Sequence, residues 1–183
     1  NPVTFESTDF LFERIVGRNV LQKHVDKAAF LEKLKSWILP EGFFVFGETV
    51  PALCQRLSDL IPKELIDYAF LRTLKTAEEE IYHDSAITHS NWTPSTLREE
   101  LESANWNIRR WQVKEFSTPT VIPTRQIEQW FTDQPDSHHS SYIQHLSTHF
   151  TPEQLNELRD TFRSGVAGKV VDWRSVILFM QLS

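Results

Sequence analysis

The sequence predicts an α/β fold of about four strands and about six or seven helices. Three observations lead to this prediction in a chain of 183 residues. A β-prone apolar run at 10–16 and an aromatic run at 43–47 flank a helical pattern, with the spacing of a strand–helix–strand unit. Helix-capping residues recur ahead of apolar residues spaced three and four apart. The apolar segment 170–182 predicts a closing strand.

Length and composition predict one domain over residues 1–183, with an irregular lead-in at 1–9. Hydrophobic residues make up 40% of the chain, which is enough to form a core. A net charge of -6 excludes a basic coat for nucleic acid, although not a local basic patch.

A membrane span and a disulfide are both excluded by the sequence. The longest apolar runs are about five residues, against about 20 for a membrane helix. The single cysteine, Cys54, excludes an internal disulfide and a cysteine-based zinc site. We therefore expect a cytoplasmic protein without membrane association.

The first elements are expected to form parallel strands joined by a helix. Residues 10–21 contain a strand that stops near Gly17 and that we expect to be buried. Asp26 is placed to cap a helix that ends at Pro40. A second strand follows at 43–47, so the two strands are expected to pair in parallel.

Helices dominate the middle of the sequence. A helical stretch is expected from Pro51, interrupted at Pro62, and a long amphipathic helix follows. Its apolar face comprises Ile66, Phe70, Leu74, Ala77 and Ile81. The acidic run 78–80 is expected on a solvated face, and Thr93 to cap the next helix.

The last third of the chain alternates strand, helix and loop signals. A strand is expected at 107–116, a short helix from Thr124 and a polar loop at 132–141. Thr151 opens a capping box before another helix. The predicted strand 170–182 is continuously apolar from Val176 to Met180, so we expect it in the centre of the sheet.

Two short polar turns follow the two predicted parallel strands, Gly17-Arg18-Asn19 and Gly47-Glu48-Thr49. Open α/β sheets bind ligands beyond the carboxyl ends of such strands. Arg18 offers a fork of donors that suits a carboxylate, and Asn19 can both donate and accept. A second interpretation stays open, in which both residues only cap the following turn.

These segments resemble part of a known enzyme class. Residues 12–21 and 39–48 are similar to strands four and five of class I S-adenosylmethionine methyltransferases. The piece Arg18–Leu21 is most similar to the chemotaxis-receptor methyltransferase group, and the turn Leu39–Gly42 is of a kind that recurs across the class.

A second resemblance spans roughly residues 12 to 182. Its motifs are Gln55-Arg56-Leu57-Ser58, Ala77-Glu78-Glu79-Glu80-Ile81-Tyr82, Asn91-Trp92 and Val171-Asp172-Trp173-Arg174-Ser175. They resemble a methyltransferase-like region that follows the AAA+ ATPase of RarA-type recombination factors in cyanobacteria. The resemblance implies a larger parent protein acting in DNA replication and recombination.

Together the resemblances imply the carboxyl-terminal half of a Rossmann-like methyltransferase sheet, namely strands four to seven with the last one antiparallel. The glycine-rich turn that the class places after its first strand is absent here, where the chain has only five glycines. Gly17, Arg18 and Asn19 are implied to line the pocket for S-adenosylmethionine, and Glu48 to face the substrate as a base. Only the complete domain is expected to bind this cofactor.

The expected partner is the remainder of the parent chain, namely the AAA+ ATPase and the amino-terminal half of the methyltransferase-like domain. Two further partners stay open: DNA, bound through the parent protein, and a second copy of this chain. An incomplete sheet exposes a strand edge, so we expect dimerisation or cover from the amino-terminal segment. A competing hypothesis is a non-catalytic interaction module.

Two further clusters have residue types that are typical of binding sites. The basic segment 109–114 interleaves cations with Trp111, as single-stranded nucleic-acid surfaces do, but a solvated strand end is favoured. His145 and His149, near His138 and His139, have metal-ligand spacing, but surface histidines are favoured.

Overall fold

The computed structural model describes residues 11–84, 87, 90–133 and 141–183. Six α-helices lie in these residues, in keeping with the sequence prediction: α1 (Lys27–Lys35), α2 (Tyr68–His83), α3 (Pro94–Ser103), α4 (Thr124–Trp130), α5 (Tyr142–Leu146) and α6 (Pro152–Gly165). No helix in this part of the chain is both long and apolar enough to cross a membrane.

A four-stranded mixed sheet confirms the predicted α/β class. Its strands are β1 (Phe12–Arg18), β2 (Ile38–Thr49), β3 (Ile108–Val121) and β4 (Val170–Leu182). Their order is β1-β2-β4-β3, so β4 is central as predicted. The predicted parallel pair is β1 with β2, and β4 runs antiparallel to β2.

The chain divides into two compact units. The first contains described residues 11–53, 90–115 and 176–183, and the second contains 54–84, 87, 116–133 and 141–175. Strands β3 and β4 each contribute residues to both units. The single domain over 1–183 stays a prediction.

The core of the first unit lies on one face of its strands. Alternate residues of β2 and β4 are buried, and α1 and α3 add buried leucines. The buried set includes Phe44, Phe46, Leu178, Met180, Leu182, Leu31, Leu34, Leu97 and Leu101. The two helix caps predicted at Asp26 and Thr93 are confirmed. Asp26 accepts from the Ala29 amide at 2.7 Å, and Thr93 forms a capping box with Thr96.

Strand β2 begins earlier than predicted. Phe12 pairs with Ile38 but Arg14 pairs with Phe43, so the segment between Ile38 and Phe43 bulges out of the ladder. The sequence predicted that a helix ends at Pro40, but Pro40 lies in this bulge of β2. Proline is tolerated there because a bulged residue does not have to donate a hydrogen bond to the neighbouring strand. Gly42 is required there, since a Cβ would lie 2.9 Å from the carbonyl oxygen of Glu13.

The prediction that the first strand is buried is wrong. Strand β1 lies at the end of the strand order and pairs only with β2 among the described strands. Val16 consequently keeps 76% of its surface exposed. Its apolar character predicted the strand correctly, but burial depends on neighbours that local sequence does not specify. The lead-in at 1–9 lies outside the described residues.

The core of the second unit is formed by α2, α4, α5 and α6. Its buried members include Leu74, Ala77, Ile122, Ile127, Leu146, Leu158 and Phe162. The capping box at Thr151 forms as predicted, with the Gln154 amide donating to Thr151 Oγ1 at 3.3 Å. The loop prediction at 132–141 falls mostly outside the described residues.

The helical stretch predicted from Pro51 is wrong. The chain forms three short 3-10 turns there, Pro51–Leu53, Leu57–Leu60 and Lys63–Leu65. Helix α2 starts only after Asp67, whose carboxylate accepts from the Ala69 amide at 2.8 Å. Pro62 lacks the amide that a continuous helix needs, so no helix runs through it.

Glu78 is buried and not solvated, which corrects the prediction for the acidic run 78–80. It is 2% exposed and accepts hydrogen bonds from the Ser58 amide at 3.0 Å and from Tyr142 Oη at 2.7 Å. The Ser58 hydroxyl also donates to it. Burial raises the pKa of Glu78. It shares the buried face of α2 with Leu74 and Ala77, whereas Glu79 and Glu80 are exposed.

Replacing Glu78 by alanine is expected to lower the free energy of unfolding by about 2 to 4 kcal/mol, because buried donors of Ser58 and Tyr142 lose their acceptor. Chemical denaturation measures the change. The matched control is Glu157→Ala on the exposed side of α6, expected to cost about 0.5 kcal/mol or less. If the two substitutions lowered the free energy of unfolding equally, a stabilising role for Glu78 would be contradicted.

Candidate functional site

The carboxyl ends of β1 and β2 lie side by side, as the sequence predicted. Gly17 pairs with Phe46, and Arg18 pairs with Gly47. The Asn19 amide continues this contact by donating to the carbonyl oxygen of Gly47 at 3.1 Å. The two polar turns predicted from the sequence therefore form one continuous edge.

Asn19 joins the two turns. Its backbone adopts the left-handed conformation, with φ at 52°. Asparagine tolerates this conformation better than most residues because its short polar side chain bonds locally. Its Oδ1 accepts from the Thr49 amide at 2.8 Å. The side-chain carbonyl thus has an internal partner, and the Nδ2 group has none among the described residues.

Glu48 holds the segment that follows Asn19. Its side chain has no exposed surface. One carboxylate oxygen accepts from the Val20 amide at 3.0 Å and the other from the Leu21 amide at 3.2 Å. This arrangement fixes the start of the 3-10 turn Leu21–Lys23.

The ionisation of Glu48 reflects two opposing effects. Burial raises the pKa of its carboxyl, while the amides of Val20, Leu21 and Gln22 and the charge of Lys27 lower it in part. A buried carboxylate is stable only with donors on its oxygens, and this turn supplies them. In the structure Glu48 anchors the segment after Asn19 through these hydrogen bonds. Its role as a base stays a prediction.

Lys27 is a buried cation near Glu48 that sequence reasoning missed. It is 4% exposed, and its Nζ donates to the His24 carbonyl at 3.4 Å and lies 5.9 Å from the centre of a Trp92 ring. Burial lowers the pKa of Lys27, against the raising effect of Glu100, Glu48 and Asp26. A lysine in the first turn of a helix gives no sequence signal of burial.

Arg18 differs from its neighbours because it is exposed. No side chain in the described part of the protein forms an ion pair or hydrogen bond with its guanidinium. Its strand position is fixed by the Gly47 pairing, so the donors project from a rigid base. The arrangement leaves five N–H groups for an anionic ligand, most suitably a carboxylate.

Gly17 is required by packing. A Cβ at this position would lie 2.7 Å from Cδ1 of Phe46 and 2.8 Å from Cγ2 of Val20. Any side chain would therefore displace the turn or the Phe46 ring. This close approach explains the glycine from the structure, while its contact with a cofactor stays a prediction.

The other sequence candidates have partners of their own. Arg109 donates to Ser183 Oγ at 2.9 Å, and Arg98 lies over Trp111 with its guanidinium carbon 5.8 Å from the ring centre. His149 Nε2 lies 2.8 Å from Glu80 Oε2. His138 and His139 lie outside the described residues. Within the described ranges, no three His, Cys, Asp or Glu side chains come together as metal ligands.

Comparison with solved structures gives resemblances at low sequence identity. A protein described as a methyltransferase from Bacillus halodurans C-125 is 14% identical with a TM-score of 0.47, over 100% of this chain and 68% of the other. The plantazolicin methyltransferase BpumL, solved with SAH, is 14% identical with a TM-score of 0.32, over 98% of this chain and 56% of the other.

A cyclopropane-fatty-acyl-phospholipid synthase-like protein from Lactobacillus casei ATCC 334 is 12% identical with a TM-score of 0.37, over 94% of this chain and 57% of the other. The chain thus spans little more than half the length of the last two proteins. No protein-family model and no curated protein sequence matches the chain.

Replacing Glu48 by glutamine is expected to lower the free energy of unfolding by about 1 to 3 kcal/mol, because an amide group would face a backbone N–H. Because burial raises the folded pKa of Glu48 above its ordinary value of 4.5, the wild type has a pH-dependent stability that is fully present below that pH and is lost as pH rises through the folded pKa, whereas the glutamine variant has none. The difference in stability between wild type and variant should therefore become smaller as the pH is raised above 4.5.

Denaturation at a series of pH values measures this difference. The matched control is Glu41→Gln, an exposed position of the same strand, which should follow the wild-type curve. A Glu48→Gln curve that coincides with the Glu41→Gln curve would contradict the anchoring part of Glu48.

Proposed function

We propose that the chain is the carboxyl-terminal part of a methyltransferase-like domain and that the turn 17–19 forms one side of its site for S-adenosylmethionine. The observation that carries the proposal is the joined edge of β1 and β2, where Arg18 is exposed on a turn that Asn19 and Glu48 hold in place. Ligands of open α/β sheets bind at such an edge. The sequence resemblance at 12–21 and 39–48 supports the same assignment.

The residues present fit part of that cofactor. The guanidinium of Arg18 is suited to a carboxylate such as the one at the methionine end, and the free Nδ2 group of Asn19 offers a further donor. When bound, the cofactor supplies an electrophilic methyl group. The chain's own part in methyl transfer is to hold one side of the ligand in line with its acceptor.

Glu48 is proposed as a positioning residue. A base must reach the proton that it removes, and both oxygens of Glu48 are engaged with backbone amides inside the protein. To act as the base that the family resemblance implies, Glu48 would first have to leave those amides. By holding Val20 and Leu21, it fixes the direction in which the chain leaves the site.

The proposed parent is a RarA-type AAA+ ATPase of the cytoplasm that acts in DNA replication and recombination. Support comes from the sequence motifs at 55–58, 77–82, 91–92 and 171–175. The remainder of that parent would supply the other side of the cofactor site. DNA would be a partner through the parent protein.

A non-catalytic interaction module is the second candidate function. The burial of Glu48 favours it, because the acidic residue at this edge is closed to a substrate. A module of this kind would keep the sheet and dock partners for the ATPase without transferring a methyl group.

Calorimetry with S-adenosylmethionine separates the two candidates. The proposal expects the longer protein to bind the cofactor and this chain alone to bind it weakly or not at all. In the longer protein, Arg18→Ala should weaken binding about tenfold or more, since a charge-assisted pair is lost. Arg14→Ala, at an exposed position of the same strand, is the matched control. Absence of binding by the longer protein would remove the methyltransferase proposal.

A further inference from the structure

The second unit has a groove that the proposed function does not use. It has a volume of about 680 Å³ and runs along the outer face of α2 and the turn before it. Its lining comprises Lys63, Ile66, Tyr68, Leu71, Arg72, Lys75, Thr76, Glu79, Glu80 and His83. From Tyr68 onwards these residues recur three or four positions apart, so they form one stripe along the helix.

The walls of this groove are apolar at the end where α2 begins. Ile66 and Leu71 line it there, and Tyr68 keeps 79% of its surface exposed. The opposite face of α2 buries Leu74 and Ala77 in the core. The open face of α2 is therefore apolar only at its first turn, and beyond Leu71 its lining residues are polar or charged.

The charges along the groove are divided between its ends. Lys63 and Arg72 are exposed at the first end, and no side chain in the described ranges pairs with either. Lys75 has a partner, with its Nζ 2.8 Å from Asp59 Oδ1.

The acidic residues at the other end already have partners. Glu79 pairs with Arg56 at 2.8 Å, and Glu80 lies 2.8 Å from His149. The charged side chains of the groove that lack a partner among the described residues are therefore the cations Lys63 and Arg72, which lie beside the apolar wall.

We propose that this groove binds an amphipathic helix of a partner protein, with carboxylates against Lys63 and Arg72 and apolar side chains against Ile66, Tyr68 and Leu71. The lining stripe from Tyr68 to His83 is about 22 Å long, which matches a helix of about four turns. Helices commonly dock in apolar grooves through residues spaced three and four apart. The acidic lining at Glu79 and Glu80 disfavours the continuous phosphate backbone of a nucleic acid.

A displayed helix library tests this proposal on the full chain. Its members share an apolar face of leucines at i, i+3, i+4 and i+7, and four flanking positions vary among Glu, Lys and Gln. Selection should enrich Glu over Lys at the positions flanking one end of the apolar face. Selection on the double variant Lys63→Glu, Arg72→Glu should reverse the preference to Lys, a result that an unfolded variant would not give.

Arg125→Glu is the matched control, because Arg125 is an exposed helix residue of the same unit outside the groove. It should leave the preference for Glu unchanged. The proposal would be overturned by no enrichment above the unselected library, by enrichment without a charge preference, or by displacement of selected helices by a 15-nucleotide oligothymidylate. Self-association that Leu71→Glu abolishes would assign the groove to a second copy and overturn it as well.

Discussion

The carboxylate of Glu48 is the contact on which the edge of the sheet depends. A parallel strand pair ends with backbone amides that have no partner in the ladder, and the chain must still turn sharply after β1. Glu48 receives the Val20 and Leu21 amides, while Asn19 receives the Thr49 amide. These three bonds tie the end of β1 to the end of β2. The backbone of Arg18 is thus held by its pairing with Gly47 and by the bonds of the residues that follow it.

Buried carboxyl groups occur in both units, and donors from other segments of the chain bond to them. Glu48 accepts from backbone amides, and Glu78 accepts from Ser58 and Tyr142. Each arrangement offsets the loss of hydration with hydrogen bonds that the fold supplies. Removing the donors would leave a carboxylate that must either take up a proton or unfold its surroundings. Such contacts therefore constrain the positions of short turns that have little apolar surface of their own.

Local signals predicted most elements of the fold. The helix caps at Asp26, Thr93 and Thr151 bond to backbone amides three residues further along the chain. The closing strand predicted at 170–182 has the bounds of β4. The meeting of the turns at Gly17 and Gly47 also followed from sequence, because parallel strands place their carboxyl ends at one edge.

Burial was the property that local sequence did not specify. Val16 looks like a core residue but lies on an edge strand, and Glu78 looks solvated but faces Ser58 and Tyr142, which are distant in sequence. Lys27 gave no signal because its burial depends on Trp92 from another segment. In each case the deciding neighbour is supplied by tertiary structure.

The most direct test of the account is a crystal structure of the longer protein with S-adenosylhomocysteine bound. The account predicts ligand density at the edge formed by residues 17–19 and 47–49, with the Arg18 guanidinium within about 3 Å of a ligand oxygen. Ligand density elsewhere, with the Arg18 side chain in solvent and the turn at Asn19 unchanged, would contradict it.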